Sequence, residues 1–261
     1  MHAALSISKT GLTAQDKQLT TISNNLANAS TVGFKRDRAV FEDLLYQIQR
    51  QPGAQSSEST LVPSGIQLGT GVRVASTQKE FTTGSLQVTD QPLDMAVNGR
   101  GFFQILLPDG NVAYTRNGEF HLSADGEIVS ADGLVLQPNI ALPDNTSNVT
   151  ISRDGVVSAL VQGEPSPTVA GNIQLADFIN PAGLQAIGSN LFLESASSGS
   201  VQTGAPDANG FGSIVQGSVE NSNVNIVEEL VNLITTQRTY EMNSRVIQTA
   251  DQMLQFVSQN V

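Results

Sequence analysis

Apolar residues return every seven positions at both ends of the chain. Leu5, Leu12, Leu19 and Leu26 form one such row, with Ile22 between the last two. Ile226, Leu233, Tyr240, Ile247, Leu254 and Val261 form the other, flanked by Val227, Leu230, Ile234, Val246 and Met253. Residues 3–29 hold no proline and a single glycine. This spacing predicts an amphipathic helix at each end. The second helix is expected to start at Asn223 or Asn225, with Glu228 and Glu229 in the first turn, where the positive end of the helix dipole favours acids. At about 1.5 Å per residue its 36 residues reach on the order of 54 Å, more than a compact domain of this size needs, so the helix should project. The first helix runs into Asn24, Asn25 and Asn28, then Ser30, Thr31 and Gly33, which predicts a left-handed stop and a sharp change of direction near Gly33.

Between the ends the period changes. Val40, Leu44, Leu45 and Ile48 fit one face of a short helix over 38–49, closed by Pro52-Gly53. Residues 52–70 (PGAQSSESTLVPSGIQLGT) are poor in long side chains and read either as a linker or as an ordered hairpin lying on a neighbour. From 72 to about 221 the apolar period is two, and Asn98-Gly99, Asp109-Gly110, Asn117-Gly118, Asp125-Gly126 and Asp132-Gly133 follow one another every 7–11 residues. That predicts antiparallel strands at 101–107, 113–116, 119–123, 127–130, 134–137, 148–152, 156–161 and 173–177, with a Ser/Gly-rich return loop over 195–212. The expected fold class is therefore α+β: terminal heptad helices paired as a coiled coil, an extended or hairpin segment, and an inserted antiparallel β domain. The divisions fall at 1–33 with 222–261, at 34–75, and at 76–221.

Composition narrows the function. The 261 residues suffice for a real core, so size demands neither disulfides nor metals. Charged residues make up 14% of the chain against about 25% in an average domain, so Ser, Thr, Asn and Gln must supply the polar surface, which suits packing against copies or partners. The formal charge is −11, and no Lys or Arg lies between Arg153 and Arg238, a balance that repels nucleic acid. Without cysteine there are no disulfides, thiolate metal sites or Cys nucleophiles. No apolar run approaches the roughly 20 residues of a membrane span, and MHAALSISKTGLTAQ lacks the regions of a secretory signal, so any export is expected to use another route.

The chemistry of an enzyme is hard to assemble from these residues. His2 and His121 form no pair at metal or triad spacing, and there is no G-x-S-x-G, phosphate-loop, H-E-x-x-H or calcium-loop motif. Asn98-Gly99-Arg100-Gly101 precedes a strand rather than a helix, so its glycines serve a turn. Paired acids such as Asp90 with Asp94, or Asp125 with Asp132, are the remaining option, as in glycan hydrolysis. Yet Asp109, Asp125, Asp132 and Asp154 all precede glycine, where Asp is favoured for its local backbone hydrogen bond. A secreted glycan-binding or glycan-cleaving β protein would also want an aromatic groove, and the chain has no Trp and three Tyr. No catalytic residue, cofactor or metal is expected. Two sticky helical ends around a β body favour polymerisation instead, since a head-to-tail contact that does not close yields a filament.

Two stretches resemble a known family, the axial rod and hook proteins of the bacterial flagellum. Ile22-Ser23-Asn24-Asn25-Leu26-Ala27-Asn28, then Ser30-Thr31-Val32-Gly33-Phe34-Lys35-Arg36, resembles its N-terminal signature; residues 222–231 (SNVNIVEELV) and 237–243 (QRTYEMN) resemble its C-terminal one. Residues 41–46 (FEDLLY) with 50–57 (RQPGAQSS), and Gly101-Phe102-Phe103-Gln104 with Ala113-Tyr114-Thr115-Arg116, are similar to the distal-rod branch. The resemblance implies a structural subunit of the distal rod, exported by the flagellar type III apparatus without a cleaved signal, partnered by a rod cap, polymerised with itself, joined to proximal rod proteins, the hook and the hook-rod junction, and turning inside the P and L rings. It assigns helix packing to Leu5, Leu12, Leu19, Ile22, Leu26, Ile226, Leu230, Leu233, Tyr240, Ile247 and Leu254, and the family motif to Asn24, Asn25, Leu26, Ala27, Asn28, Gly33, Phe34 and Lys35. A rod-stiffening role falls to Tyr46, Pro52, Gly53, Ala54, Gln55, Ser56 and Ser57. Within the same family a proximal rod or hook subunit is the alternative, with hook proteins lacking the segment after Tyr46.

Overall fold

The structure, a computed structural model, describes every residue except Met1, Ala54, Glu58, Ser59, Val62, Asp144, Glu164, Pro165, Asn260 and Val261. It is α+β, and it divides into two compact units that the chain enters more than once. One comprises residues 1–27, 37–79 and 225–261; the other comprises 28–36 and 80–224.

The first unit contains helices α1 (His2–Ala27) and α2 (Ile226–Gln259) and a ribbon of six strands: β1 (Asp37–Asp43), β2 (Gln47–Arg50), β3 (Gln55–Ser57), β4 (Thr60–Leu61), β5 (Ile66–Leu68) and β6 (Val72–Lys79). The helices pack on one another, and α1 also packs on β1 and β6. Asn225 caps α2: its Oδ1 accepts from the N–H groups of Val227 and Glu228, and its carbonyl accepts from Glu229. Three antiparallel pairs are nested along the ribbon, β1 with β6, β2 with β5 and β3 with β4. The helix expected over 38–49 is therefore corrected to two strands. The β1–β6 register slips between Val40 and Phe41. The extra residue of that bulge is Ala75 of β6, and residues 44–46 link β1 to β2 outside either strand, so Val40, Leu44, Leu45 and Ile48, which mimic a helical face in sequence, come from two strands and their link. The open choice at 52–70 resolves as a hairpin.

The second unit, the body, is built of β7 (Leu86–Val88), β8 (Met95–Asn98), β9 (Phe103–Leu106), β10 (Val112–Thr115), β11 (Phe120–Leu122), β12 (Ile128–Ser130), β13 (Val135–Gln137), β14 (Thr146–Ile151), β15 (Val156–Val161), β16 (Thr168–Asn172), β17 (Leu175–Asp177), β18 (Gln185–Gly188), β19 (Leu191–Leu193), β20 (Gln202–Gly204), β21 (Ser213–Gln216) and β22 (Ser218–Glu220). Its main sheet has the order β11-β12-β13-β9-β10-β19-β18, with β14-β15-β16 as a second sheet and β17-β20, β21-β8 and β22-β7 as pairs. The Asp-Gly turns form as expected: Gly110, Gly126, Gly133 and Gly155 donate to Leu107, Ser123, Ser130 and Ser152. The span read as a return loop contains β20, which pairs with β17.

Phe102 and Phe103 show how the body is filled. Adjacent strand residues face opposite ways. Phe103 enters a large core with Met95, Val97, Ile105, Ile128 and Leu136, and meets the Phe120 ring edge-on at 5.3 Å. Phe102 joins Tyr114, Ala176, Phe178 and Phe192 in a second cluster, with Phe81 at 5.3 Å.

Candidate assembly surface and its anchoring residues

The helix pair buries little of its apolar side chain. The most enclosed positions of α1 are Ser8, Ala14, Ile22 and Asn25, and those of α2 are Glu229 and Thr236. Small side chains allow close approach: a Cβ on Gly11 would stand 3.3 Å from the Asn243 amide nitrogen. In contrast, α2 leaves Val227, Val231, Ile234, Met242, Val246, Met253 and Phe256 at 48–71% exposure. At 100° per residue most of these fall along one line of the helix. The row runs in two groups, Val227, Val231 and Ile234, then Met242, Val246, Met253 and Phe256, parted by the exposed Arg238.

Asn25 is 1% exposed, and its amide works in both directions: Nδ2 donates to the Asp37 carbonyl at 2.8 Å, and Oδ1 accepts from the Asp37 N–H at 2.9 Å. It satisfies both backbone groups of one residue, as a neighbouring strand would. Lys79 Nζ meets the Asp37 carboxylate at 2.8 Å. A matching device lies in the body. Asn223 Oδ1 accepts from the Arg36 N–H at 2.8 Å, while its Nδ2 donates to the Glu80 carbonyl at 2.7 Å. The Glu80 N–H in turn donates to the Arg36 carbonyl. Asn225 is thus the helix cap, and Asn223 closes a backbone pairing.

Gly33 sits at φ +71°, and its N–H donates to the Glu220 carbonyl at 2.7 Å. A Cβ there would lie 2.5 Å from the Asn117 backbone nitrogen, so only glycine fits. Two residues later, Lys35 enters the body fully buried. Its Nζ donates to Glu220 Oε1 at 2.6 Å and to the Thr82 carbonyl at 2.8 Å. Glu220 Oε1 also accepts from the Gly84 N–H, and Oε2 lies 3.3 Å from Arg116 Nη1. Arg116 donates further to the carbonyls of Val97 and Gly99 and lies 5.4 Å over the Phe102 ring. Two cations thus share one buried carboxylate. Burial pushes the Lys35 ammonium below its ordinary pKa, opposed by the attraction of Glu220, and burial lowers Arg116 in the same way. This arrangement is a structural lock: every charged group points at a fixed partner, and none is presented to solvent.

Three family profiles match the chain. Residues 5–35 match "Flagella basal body rod protein", 96–159 match "Flagellar hook protein FlgE/F/G D1 domain", and 215–260 match "Flagellar basal body rod FlgEFG protein C-terminal". The chain is 54% identical over 259 residues to the flagellar basal-body rod protein FlgG of Buchnera aphidicola subsp. Acyrthosiphon pisum, covering 99% of this chain and 100% of that one. It is 50% identical to FlgG of Caulobacter vibrioides, covering 98% of each chain, and 36% identical to FlgG of Bacillus subtilis, covering 91% of each.

The chain belongs to the flagellar rod and hook protein family. It is a structural subunit of the flagellar basal-body rod and not an enzyme. Of the acids weighed for glycan chemistry, Asp94 accepts from the Thr89 hydroxyl, and Asp125 and Asp132 occupy hairpin turns.

The structure brings the signature residues of this rod subunit into distinct places. Asn24, Asn25, Leu26 and Ala27 end α1, Asn28 accepts from Thr31, and Gly33, Phe34 and Lys35 lead into the body, with Phe34 buried. Along the helices Ile22 is buried, Leu5, Leu12, Leu19, Leu26, Leu233 and Ile247 are half-buried, and Ile226, Leu230 and Tyr240 are exposed. The Leu254 side chain lies outside the described residues. Of the rod-stiffening set, Tyr46 is 55% exposed with Asp43 beside it, which holds its phenol above the usual range. Pro52 and Gly53 form a turn, Gln55, Ser56 and Ser57 form β3, and Ala54 lies outside the described residues. Glu220 is the residue that sequence reading passed over. It stands in a three-residue strand with no local motif, and only the strand pairing brings it to Lys35 and Arg116.

Proposed function

We propose that this rod subunit self-assembles through α1 and α2, paired as a coiled coil, into a rigid helical tube that transmits torque from motor to hook inside the P- and L-ring bushing. In this reading residues 1–33 and 222–261 form the inner tube, 34–75 the rod-specific stiffening segment, and 76–221 the β body. The subunit reaches its place through the flagellar type III apparatus beneath a rod cap. It crosses the periplasm toward the outer membrane between proximal rod proteins and the hook-rod junction.

One observation carries the proposal: the exposed apolar row Val227, Val231, Ile234, Met242, Val246, Met253 and Phe256 on a 34-residue helix. Water contact along some 50 Å of helix is costly, and a second helix laid on the row removes it. The ribbon adds a second exposed apolar set, with Leu45, Tyr46, Ile48, Ile66 and Leu68 at 47–90% exposure.

The test is sedimentation of purified protein over a concentration series, comparing wild type with Met242→Glu/Val246→Glu. Both sites are exposed in the single chain, so folding by circular dichroism should be unchanged while pelletable polymer is lost. Equal pelleting by the variant would refute assembly through this row.

A further inference from the structure

A groove of about 490 Å³ runs along α1 beside β6. Ala14, Val72 and Val74 give it an apolar lining, and Lys9, Lys17 and Arg73 stand along it. Lys9 and Lys17 are the only Lys or Arg residues of α1, both are exposed, and among the described residues neither forms an ion pair. Eight positions separate them, about 12 Å along the helix. Arg73 is already held by Glu42 at 2.9 Å. The two lysines are therefore the groove's uncompensated charge.

The opposite charge lies elsewhere in the same sequence. The body contains fifteen of the 24 carboxylate residues but only five of the 13 basic ones, Lys35, Arg36, Arg100, Arg116 and Arg153. Nearly all of the net −11 thus belongs to the body, and the helical unit is close to balance. A body of this charge repels other bodies, and a basic surface on a neighbouring copy would offset that repulsion within a Debye length of about 8 Å at physiological salt. Strand pairing concentrates part of this charge. Val135 lies opposite Leu106, so the turns carrying Asp132 and Asp109 are neighbours at one end of the main sheet. Tyr114 opposite Phe192 brings the chain after β19, at Glu194, to the same end. Residues 107–111 and 131–134 contain no Lys or Arg.

We infer that the α1–β6 groove is a docking site for the β body of a second copy, entered by the acidic sheet end that carries Asp109 and Asp132. Apolar lining and threonine methyls receive the turn, and Lys9 and Lys17 meet its carboxylates. Such charge pairing fixes which neighbour docks, and in what register, more than it adds affinity. The inference rests on the self-assembly proposed above and specifies one contact within it.

The experiment measures the critical concentration for pelleting in low and high salt. Lys9→Glu/Lys17→Glu should raise it about tenfold at low salt, with a smaller effect in high salt, as expected for exposed charge pairs. Asp109→Lys/Asp132→Lys should do the same, and the four-site combination should return toward wild type. A combination no better than either parent overturns this occupant. A Lys9→Glu/Lys17→Glu variant that keeps its helicity and pellets like wild type overturns the site and leaves self-assembly standing. Wild-type protein that never pellets removes both.

Discussion

Lys35 and Glu220, 185 positions apart, face each other at 2.6 Å with no solvent exposure on either side chain. Taking a lysine and a glutamate out of water costs several kcal/mol each, and the pair is tolerable because Thr82, Gly84 and Arg116 complete its hydrogen bonds. The cluster therefore acts by registering the segment after the N-terminal motif against β22, β10 and the backbone around Thr82.

Removing the shared anion should be far worse than removing either cation. Glu220→Gln leaves buried Lys35 without its counter-charge and Arg116 with only the attraction of Asp177, and should cost about 3–5 kcal/mol in denaturant unfolding. A loss below about 1 kcal/mol would mean that the carbonyls alone hold the cations.

Alkaline pH should act on Lys35 with a definite sign. Its folded pKa is lowered by burial, so between that value and 10.5 the unfolded chain binds the proton more often than the folded one. The contribution of this lysine to stability should then rise with pH across that window. The difference in unfolding free energy between wild type and Lys35→Met, followed up to about pH 10.5, should show the slope; a pH-independent difference would contradict it.

At Gly33 a side chain meets two obstacles, the left-handed backbone and the Asn117 nitrogen. Gly33→Ala should destabilise by about 2 kcal/mol or more. A lowered melting temperature is the readout, and an unchanged one would show that the turn can shift.

Asn25 should be irreplaceable by shape alone. Asn25→Leu fills similar space but strands the Asp37 N–H and carbonyl, at about 1–3 kcal/mol for each group left unpaired. Amide exchange at Asp37 should accelerate, whereas Ser23→Ala, at an exposed neighbouring position, should leave it unaltered.

Several features were legible before any fold. Seven-residue spacing placed both helices within about two residues of their observed limits at the ends that can be compared, and the Asp-Gly dipeptides placed the hairpins, because both signals arise from local backbone preferences. The ribbon was misread for the complementary reason. Whether residues 38–49 coil or extend depends on β5 and β6, some 20 to 40 positions downstream, and the non-strand link at 44–46 interrupts the strand period.

The sequence by itself determined the helical ends, the turn-punctuated β body, the charge balance and the family, since propensity, periodicity and motif are properties of short segments. Tertiary structure decided which heptad residues face outward, that Asn223 and Asn25 act as backbone partners, and that Glu220 holds both Lys35 and Arg116. Those outcomes depend on burial and on contacts between distant residues, and a buried carboxylate looks like any other until the chain closes around it.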